Sequence, residues 1–214
     1  MSTQSEANVK TTATTLLEAL WPAQDNARVF RALVMVFVGV GFLTASSYIR
    51  VPMWPVPMTM QTFAVLGLGA AYGLRLGGAT VLTYLAVGII GGPVFSDGAS
   101  GWAYFTGTTG GYLFGFMVAA ALVGWLAERG WDRQIVTMAA AMIIGNVVIY
   151  AFGLTWLYQV LISQMGLEGW DLARVIDSGM MQFLVGDAAK LVLAALILPF
   201  VWRFAPGYHR PGRP

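Results

Sequence analysis

Gly186-Asp187-Ala188-Ala189-Lys190 lies inside an apolar run that extends from Met180 to Trp202. At about 1.5 Å of rise per residue, such a run is long enough to cross a bilayer as a helix. The other strongly apolar segments carry no charge in their interiors. An ionisable side chain at membrane depth costs roughly 2.5–3.5 kcal/mol, so it usually marks a ligand or ion pathway and has a partner close by. The i, i+3 spacing sets Asp187 and Lys190 on one helix face, close enough to pair. They form either a structural salt bridge or a polar binding site. The second reading is favoured, because an apolar pair would hold a helix interface at least as well as a buried ion pair does.

Composition supports a membrane setting. Of 214 residues, 57% are hydrophobic and only 10% charged, and the mean hydropathy is +0.69. A soluble domain carries about 25% charged residues, so this is expected to be an integral membrane protein in contact with the lipid bilayer. The absence of cysteine excludes disulfides, thiolate catalysis and cysteine-based metal sites. The single histidine, His209, lies in the polar C-terminal tail, so histidine triads and zinc hydrolase sites have nothing to be built from. No G-x-x-x-x-G-K-[ST] loop occurs, so uphill movement of a solute would need energy from outside this chain. Nothing here points to a metal, a cofactor or a nucleic acid.

Six apolar segments, near 31–49, 58–74, 76–91, 107–127, 135–161 and 180–202, predict an all-α bundle of six transmembrane helices. The second and third fall short of the roughly 20 residues a span needs, which predicts a thin region, tilt, or helices broken where they line a cavity. With the N-terminus inside, the cytoplasmic stretches carry Lys10, Arg28, Arg31, Arg75, Arg129, Arg133, Arg203, Arg210 and Arg213, and the outer loops only Arg50 and Arg174. Nine against two is a positive-inside bias that puts both termini in the cytoplasm. The expected organisation is a cytoplasmic segment over 1–30 with a short surface helix near 11–21, a six-helix membrane domain over 31–203, and a polar tail over 204–214. The first 30 residues lack the uninterrupted apolar core of a cleaved signal peptide. The sixth helix then enters from outside near Met180, which sets Asp187 about 10 Å and Lys190 about 15 Å down. A site there opens outward.

The remaining candidates are read from local chemistry. Gly41 and Ala45 make a small-x-x-x-small face on the first helix, for internal packing or for a partner. Three prolines within Pro52–Pro57 force a turn before the second segment, which Thr59 would cap. Gln61 then enters just beneath the outer surface, where its amide suits a ligand and an interhelical bond equally. The stretch Gly91–Tyr112 predicts an ordered glycine- and aromatic-rich outer loop between helices 3 and 4, with Phe95, Asp97, Trp102 and Tyr104 as candidates for folding over a pocket and Tyr84 facing it from one helix earlier. Anchoring in the headgroups is the plainer reading of those aromatics. Asn146 and Tyr150 share a face of the fifth helix, as pocket lining or as a helix contact. Glu168, Asp171, Arg174 and Asp177 alternate with apolar residues and predict a short amphipathic helix on the outer surface.

Taken together, Val56-Pro57-Met58-Thr59-Met60-Gln61-Thr62, Tyr84-Leu85 before Gly91-Gly92-Pro93-Val94-Phe95, Thr109-Gly110-Gly111-Tyr112, and Gly186-Asp187 with Lys190 resemble the BioY family over about residues 30–202. The resemblance implies the biotin-binding S component of an energy-coupling-factor (ECF) transporter, a six-helix bundle of the bacterial or archaeal cytoplasmic membrane that captures biotin from outside. It implies a transmembrane coupling protein and cytoplasmic ATPases as partners, with the first-helix face at Gly41 and Ala45 toward the coupling protein. It also implies that Asp187 and Lys190 help bind biotin. Two departures stand out: Thr108 where the family commonly has proline, and no Gly-Pro around Gly73-Leu74-Arg75.

Two other classes are weaker. One intramembrane carboxylate without a histidine, a cysteine or a second acid is a thin set for an enzyme. A self-sufficient proton-coupled carrier, with Asp187 and Lys190 as its switch, is the alternative to a binding subunit.

Overall fold

The computed structural model describes residues 13–22, 25–167 and 169–205. Lys10, Glu168, His209, Arg210 and Arg213, most of the polar tail and the start of the N-terminal segment lie outside the described residues. The chain is mostly helical, with five helical stretches among the described residues long and apolar enough to cross a membrane. A short helix α1 (Leu16–Leu20) precedes α2 (Asp25–Tyr48), a strand pair β1 (Arg50–Val51) and β2 (Met58–Thr59), and α3 (Gln61–Ile89). Then come α4 (Trp102–Phe105), α5 (Gly110–Ala127), α6 (Ile135–Gln159), α7 (Leu172–Gly179) and α8 (Leu184–Trp202).

Helix α3 is not one rod. Gly73 has φ 82° and ψ 179°, a backbone conformation that an L side chain rarely adopts. On the far side of this break the chain folds back on itself: a Cβ on Gly77 would lie 3.0 Å from the Cα of Gly69. The Gln61 amide also reaches the Tyr84 hydroxyl at 2.7 Å, whereas 23 residues of straight helix would separate them by about 35 Å. The two short apolar segments are therefore the arms of a hairpin. The turn is held by Glu128, whose Oε1 accepts the Leu74 N–H at 2.9 Å, so the side chain at the end of α5 caps the returning arm.

Paired glycines let the backbones approach closely. Gly69 faces the Ala120 backbone of α5, Gly124 faces Gly73, and Gly111 faces the side chain of Trp156 and the carbonyl of Phe152 on α6. Close packing of this kind supplies the dispersion that holds membrane helices together where no hydrophobic drive exists between them. On α2 it is Gly39 that packs inward, against Thr80, Tyr72 and Leu68, while nothing lies within 4 Å of a Cβ placed on Gly41. Internal packing thus does not use the Gly41 position. Helix α2 also begins at Asp25, several residues before the expected start at 31.

The molecule has two chemically distinct ends. One carries α1, the Gly73 turn, the 3-10 turn Trp131–Arg133 and the end of α8, with Arg129, Arg133 and Arg203. Thr15 caps α1 by accepting the Glu18 N–H at 3.2 Å. The other end carries the β1–β2 hairpin, in register Arg50 with Thr59 and Val51 with Met58. It also carries the loop 90–109 and α7, which Asp171 caps by accepting the Arg174 N–H at 2.8 Å. The expected amphipathic helix is α7. The loop 90–109 holds a 3-10 turn Ser96–Gly98 and the short α4.

Candidate functional site

A cleft opens at the end that carries the β hairpin, and its roughly 590 Å³ of non-atom space includes open solvent at the mouth. Its polar floor is Asp187 and Lys190 of α8, residues only 6% and 8% exposed. Helix α8 starts at Leu184 after a 3-10 turn over Met181–Phe183, later than the apolar run alone implies. Asp187 therefore sits in the first turn, where the helix dipole favours a negative charge. Gly186 makes room for Met58, whose Sδ would lie 2.5 Å from an added Cβ.

Both carboxylate oxygens are engaged, with acceptor capacity left over. Its Oδ1 accepts from Lys190 Nζ at 3.0 Å and from the Thr62 hydroxyl at 3.4 Å, and its Oδ2 accepts from the Tyr150 hydroxyl. Lys190 Nζ donates a second bond to Thr62 at 3.0 Å. Helices α3, α6 and α8 thus meet in one buried network, which offsets much of the cost of withdrawing two charges from water.

Above this floor the walls are apolar and aromatic. Phe95, Tyr104, Tyr112, Phe116, Ile149 and Phe183 line the cleft, together with Gln61, Thr62 and Ser96. Phe95 stacks on Tyr104 with ring centroids 5.2 Å apart and a 17° interplanar angle. Tyr112 stands edge-on to Tyr150 at 6.4 Å, and its hydroxyl donates to the Gly179 carbonyl at 2.8 Å, closing the end of α7 over the bundle. The Ser96 Oγ is buried and has no hydrogen-bond partner among the described residues.

Of the residues singled out in the sequence, Gln61, Phe95, Tyr104, Tyr150, Asp187 and Lys190 are brought together on the cleft. Tyr84 is fully buried behind it and bonded to Gln61. Asp97 stands on a neighbouring depression at the rim and pairs with Arg50 at 2.8 Å. Trp102 is 64% exposed and does not line the cleft, its ring instead meeting Phe105 at 5.8 Å. Asn146 lies outside the lining, with its Oδ1 buried and unpartnered among the described residues. Sequence reasoning missed Thr62, Tyr112 and Ser96. The first two stand in motif blocks already quoted, so the signal was present.

The chemistry on offer is binding. The cleft presents a fixed acceptor and a cation on its floor, an amide at its side and flat apolar walls, and among the described residues no second acid lines it to divide proton donor from acceptor.

Comparison with known proteins identifies the family. The family model described as "BioY family" matches residues 12–207. "Biotin transporter BioY" of Thermotoga maritima is 32% identical over 167 residues, covering 78% of this chain and 93% of that protein. "Biotin transporter BioY" of Rhizobium etli is 41% identical over 150 residues, covering 67% of this chain and 76% of that protein. A crystal structure of the S-component for biotin from an ECF-type ABC transporter superposes with a TM-score of 0.71, covering 85% of this chain and 95% of that one; at 23% identity it shows a shared fold. With a family model spanning nearly the whole chain and relatives above 30% identity, the chain belongs to the BioY family.

Proposed function

We propose that this chain is the biotin-binding S component of an ECF-type importer, a multi-pass protein of the cytoplasmic membrane that is a transport subunit rather than an enzyme. The observation that carries the reading is the buried Asp187–Lys190 pair at the floor of an aromatic cleft, in a chain of this family. The ureido ring of biotin has two N–H donors and one carbonyl acceptor. Asp187 accepts from the former, Lys190 donates to the latter, and Phe95, Tyr104 and Phe116 pack the bicyclic body. The Gln61 amide, with Ser96 and Thr109 at the mouth, supplies polar contacts to the rest of the ligand.

The α3 hairpin supplies two short crossings, which with the other four apolar stretches makes six helices with both termini in the cytoplasm. In this orientation the cleft opens outward and the arginine-rich end faces the cytoplasm, as the positive-inside rule requires. The open face of α2 at Gly41 and Ala45 is the surface for a transmembrane coupling protein, and separate ATPases supply the energy this chain lacks a P-loop to provide. Membrane domain 31–203 then begins inside α2, whose first six residues project toward the cytoplasm.

The test is equilibrium binding of biotin to the purified chain in detergent, beside Asp187→Asn, with riboflavin and thiamine as controls. Tight, biotin-selective binding that is lost in the variant supports the proposal. A folded protein that ignores biotin overturns it. Proton-gradient-driven biotin uptake by this chain alone in liposomes, without ATPases, would instead support the self-sufficient carrier.

A further inference from the structure

Tyr84 lines no part of the cleft, yet its hydroxyl lies between the cleft and the segment that roofs it. Gln61 Nε2 donates to the Tyr84 hydroxyl at 2.7 Å, and that hydroxyl donates its own proton to the Val94 carbonyl at 3.0 Å. At the other end of the amide, the Thr59 hydroxyl donates to Gln61 Oε1 at 3.2 Å. The Val94 carbonyl also accepts from the Ser47 hydroxyl of α2 at 2.9 Å. The next residue, Phe95, is edge-on to the Tyr84 ring at 5.6 Å, stacks on Tyr104 and fills the space over Gly88, where an added Cβ would fall 2.1 Å from its ring.

A hydroxyl has one proton, so this chain of bonds has a direction. While Tyr84 gives its proton to Val94, it can only accept from Gln61, which turns the amide nitrogen toward Tyr84 and the oxygen toward Thr59. Were the amide reversed, Tyr84 would donate to Gln61 and leave the Val94 carbonyl only the Ser47 proton, which the Thr44 carbonyl also accepts at 2.7 Å. The seating of the roof and the orientation of the amide in the cleft are therefore two readings of one proton. Because Tyr84 and Gln61 are both buried, water is poorly placed to replace either bond, and a buried polar group left without its partner is costly.

We infer that Tyr84 is a positioning residue that couples the orientation of the Gln61 amide to the seating of Val94–Phe95 over the bound ligand. This rests on the biotin-binding reading. It assigns Tyr84 to the lifetime of the complex and not to contact with the ligand.

The experiment uses the full chain in detergent with Tyr84→Phe, which keeps the ring and removes only the hydroxyl, alongside Gln61→Ala and the double variant. Tyr84→Phe is expected to raise the biotin dissociation rate about five-fold or more, the effect of one buried hydrogen bond, and to lower the melting temperature of a chain that still folds, since the Gln61 amide loses its partner. In the Gln61→Ala background the same substitution is expected to raise the rate clearly less than in the wild type, because the part carried through the amide is already gone and only the Tyr84–Val94 bond remains to be lost. Equal effects in both backgrounds, or none in either, would overturn the inference, since a merely structural tyrosine would act independently of Gln61. Amide exchange at Phe95 gives a ligand-free readout. Faster exchange in Tyr84→Phe supports the tie to the roof even where the wild-type chain proves not to bind biotin, and unchanged exchange overturns it.

Discussion

Thr62 and Lys190, 128 residues apart, are joined by a hydrogen bond of 3.0 Å in which the ammonium donates to the hydroxyl. The same hydroxyl donates onward to Asp187 Oδ1 at 3.4 Å. One threonine on α3 therefore orients both charged groups of α8. A hydrogen bond to a charged group contributes about 1.5–3 kcal/mol. Thr62→Val keeps the shape and removes both contacts, and is expected to weaken biotin binding roughly ten-fold or more while the protein still folds. Calorimetric titration beside a thermal melt checks this, and unchanged affinity would remove Thr62 from the site.

Asp187 and Lys190 stabilise the fold only as a pair. Neutralising one leaves the other charged and buried at 8% exposure or less, which costs about 3–5 kcal/mol, whereas replacing both removes the penalty. Asp187→Asn and Lys190→Gln are each expected to lower thermal stability and abolish biotin binding. The double variant should regain much of the stability and none of the binding. Melting curves of the three variants in one detergent separate these effects, and additive losses would mean that the two charges do not interact as the 3.0 Å contact requires.

The sequence was most informative where chemistry is unusual for its surroundings. Two charges in an apolar run stand out because of the cost of placing them there, and the prolines of Pro52–Pro57 announce a turn whatever surrounds them. The short second and third segments pointed to broken or tilted helices, but their return at Gly73 as a hairpin depends on the Gly69–Gly77 and Gly124–Gly73 contacts, and no periodicity encodes which glycines meet. Thr62 and Tyr112 were hidden for a different reason. Threonine and tyrosine are ordinary residues in membrane helices, and only the approach of α8 and α7 gives them partners. Trp102 drew attention by its aromatic character, which states a preference for an interface and not which one.

Gly41 tests the outer face of α2. Nothing lies within 4 Å of a Cβ at this position, whereas at Gly39 it would meet Thr80 Cγ2 at 2.5 Å. Gly41→Trp is accordingly expected to leave folding and biotin affinity within about 0.5 kcal/mol of wild type, and to reduce co-purification with the coupling protein and ATPases several-fold when these are co-expressed. Gly39→Leu should instead destabilise the isolated chain by about 1–3 kcal/mol through overpacking. Assembly that tolerates a tryptophan at Gly41 would move the partner surface elsewhere.

At the end opposite the cleft, Asp132 is fully buried. Its Oδ2 accepts from Trp202 Nε1 at the end of α8, and its Oδ1 has no partner among the described residues. Arg133 lies over the Trp202 ring at 4.7 Å and donates to the Ala13 carbonyl at 3.1 Å. Burial pushes the Asp132 carboxyl from its ordinary 3.8 up to about 6, against the smaller opposing effects of the Trp202 hydrogen bond and the Arg133 charge. The folded state thus binds this proton more tightly than the unfolded state does. The corresponding stability is fully present below about pH 4 and is lost as pH rises through about 6. At neutral pH the buried anion costs on the order of 2–3 kcal/mol, taking 1.36 kcal/mol per unit. Asp132→Asn retains an oxygen for Trp202 and cannot ionise. It should be more stable than wild type at pH 7.5, about equal to it below about pH 4, and flatter in between. Melting temperatures of both proteins across that range decide the matter, and parallel profiles would show that Asp132 does not titrate in this window.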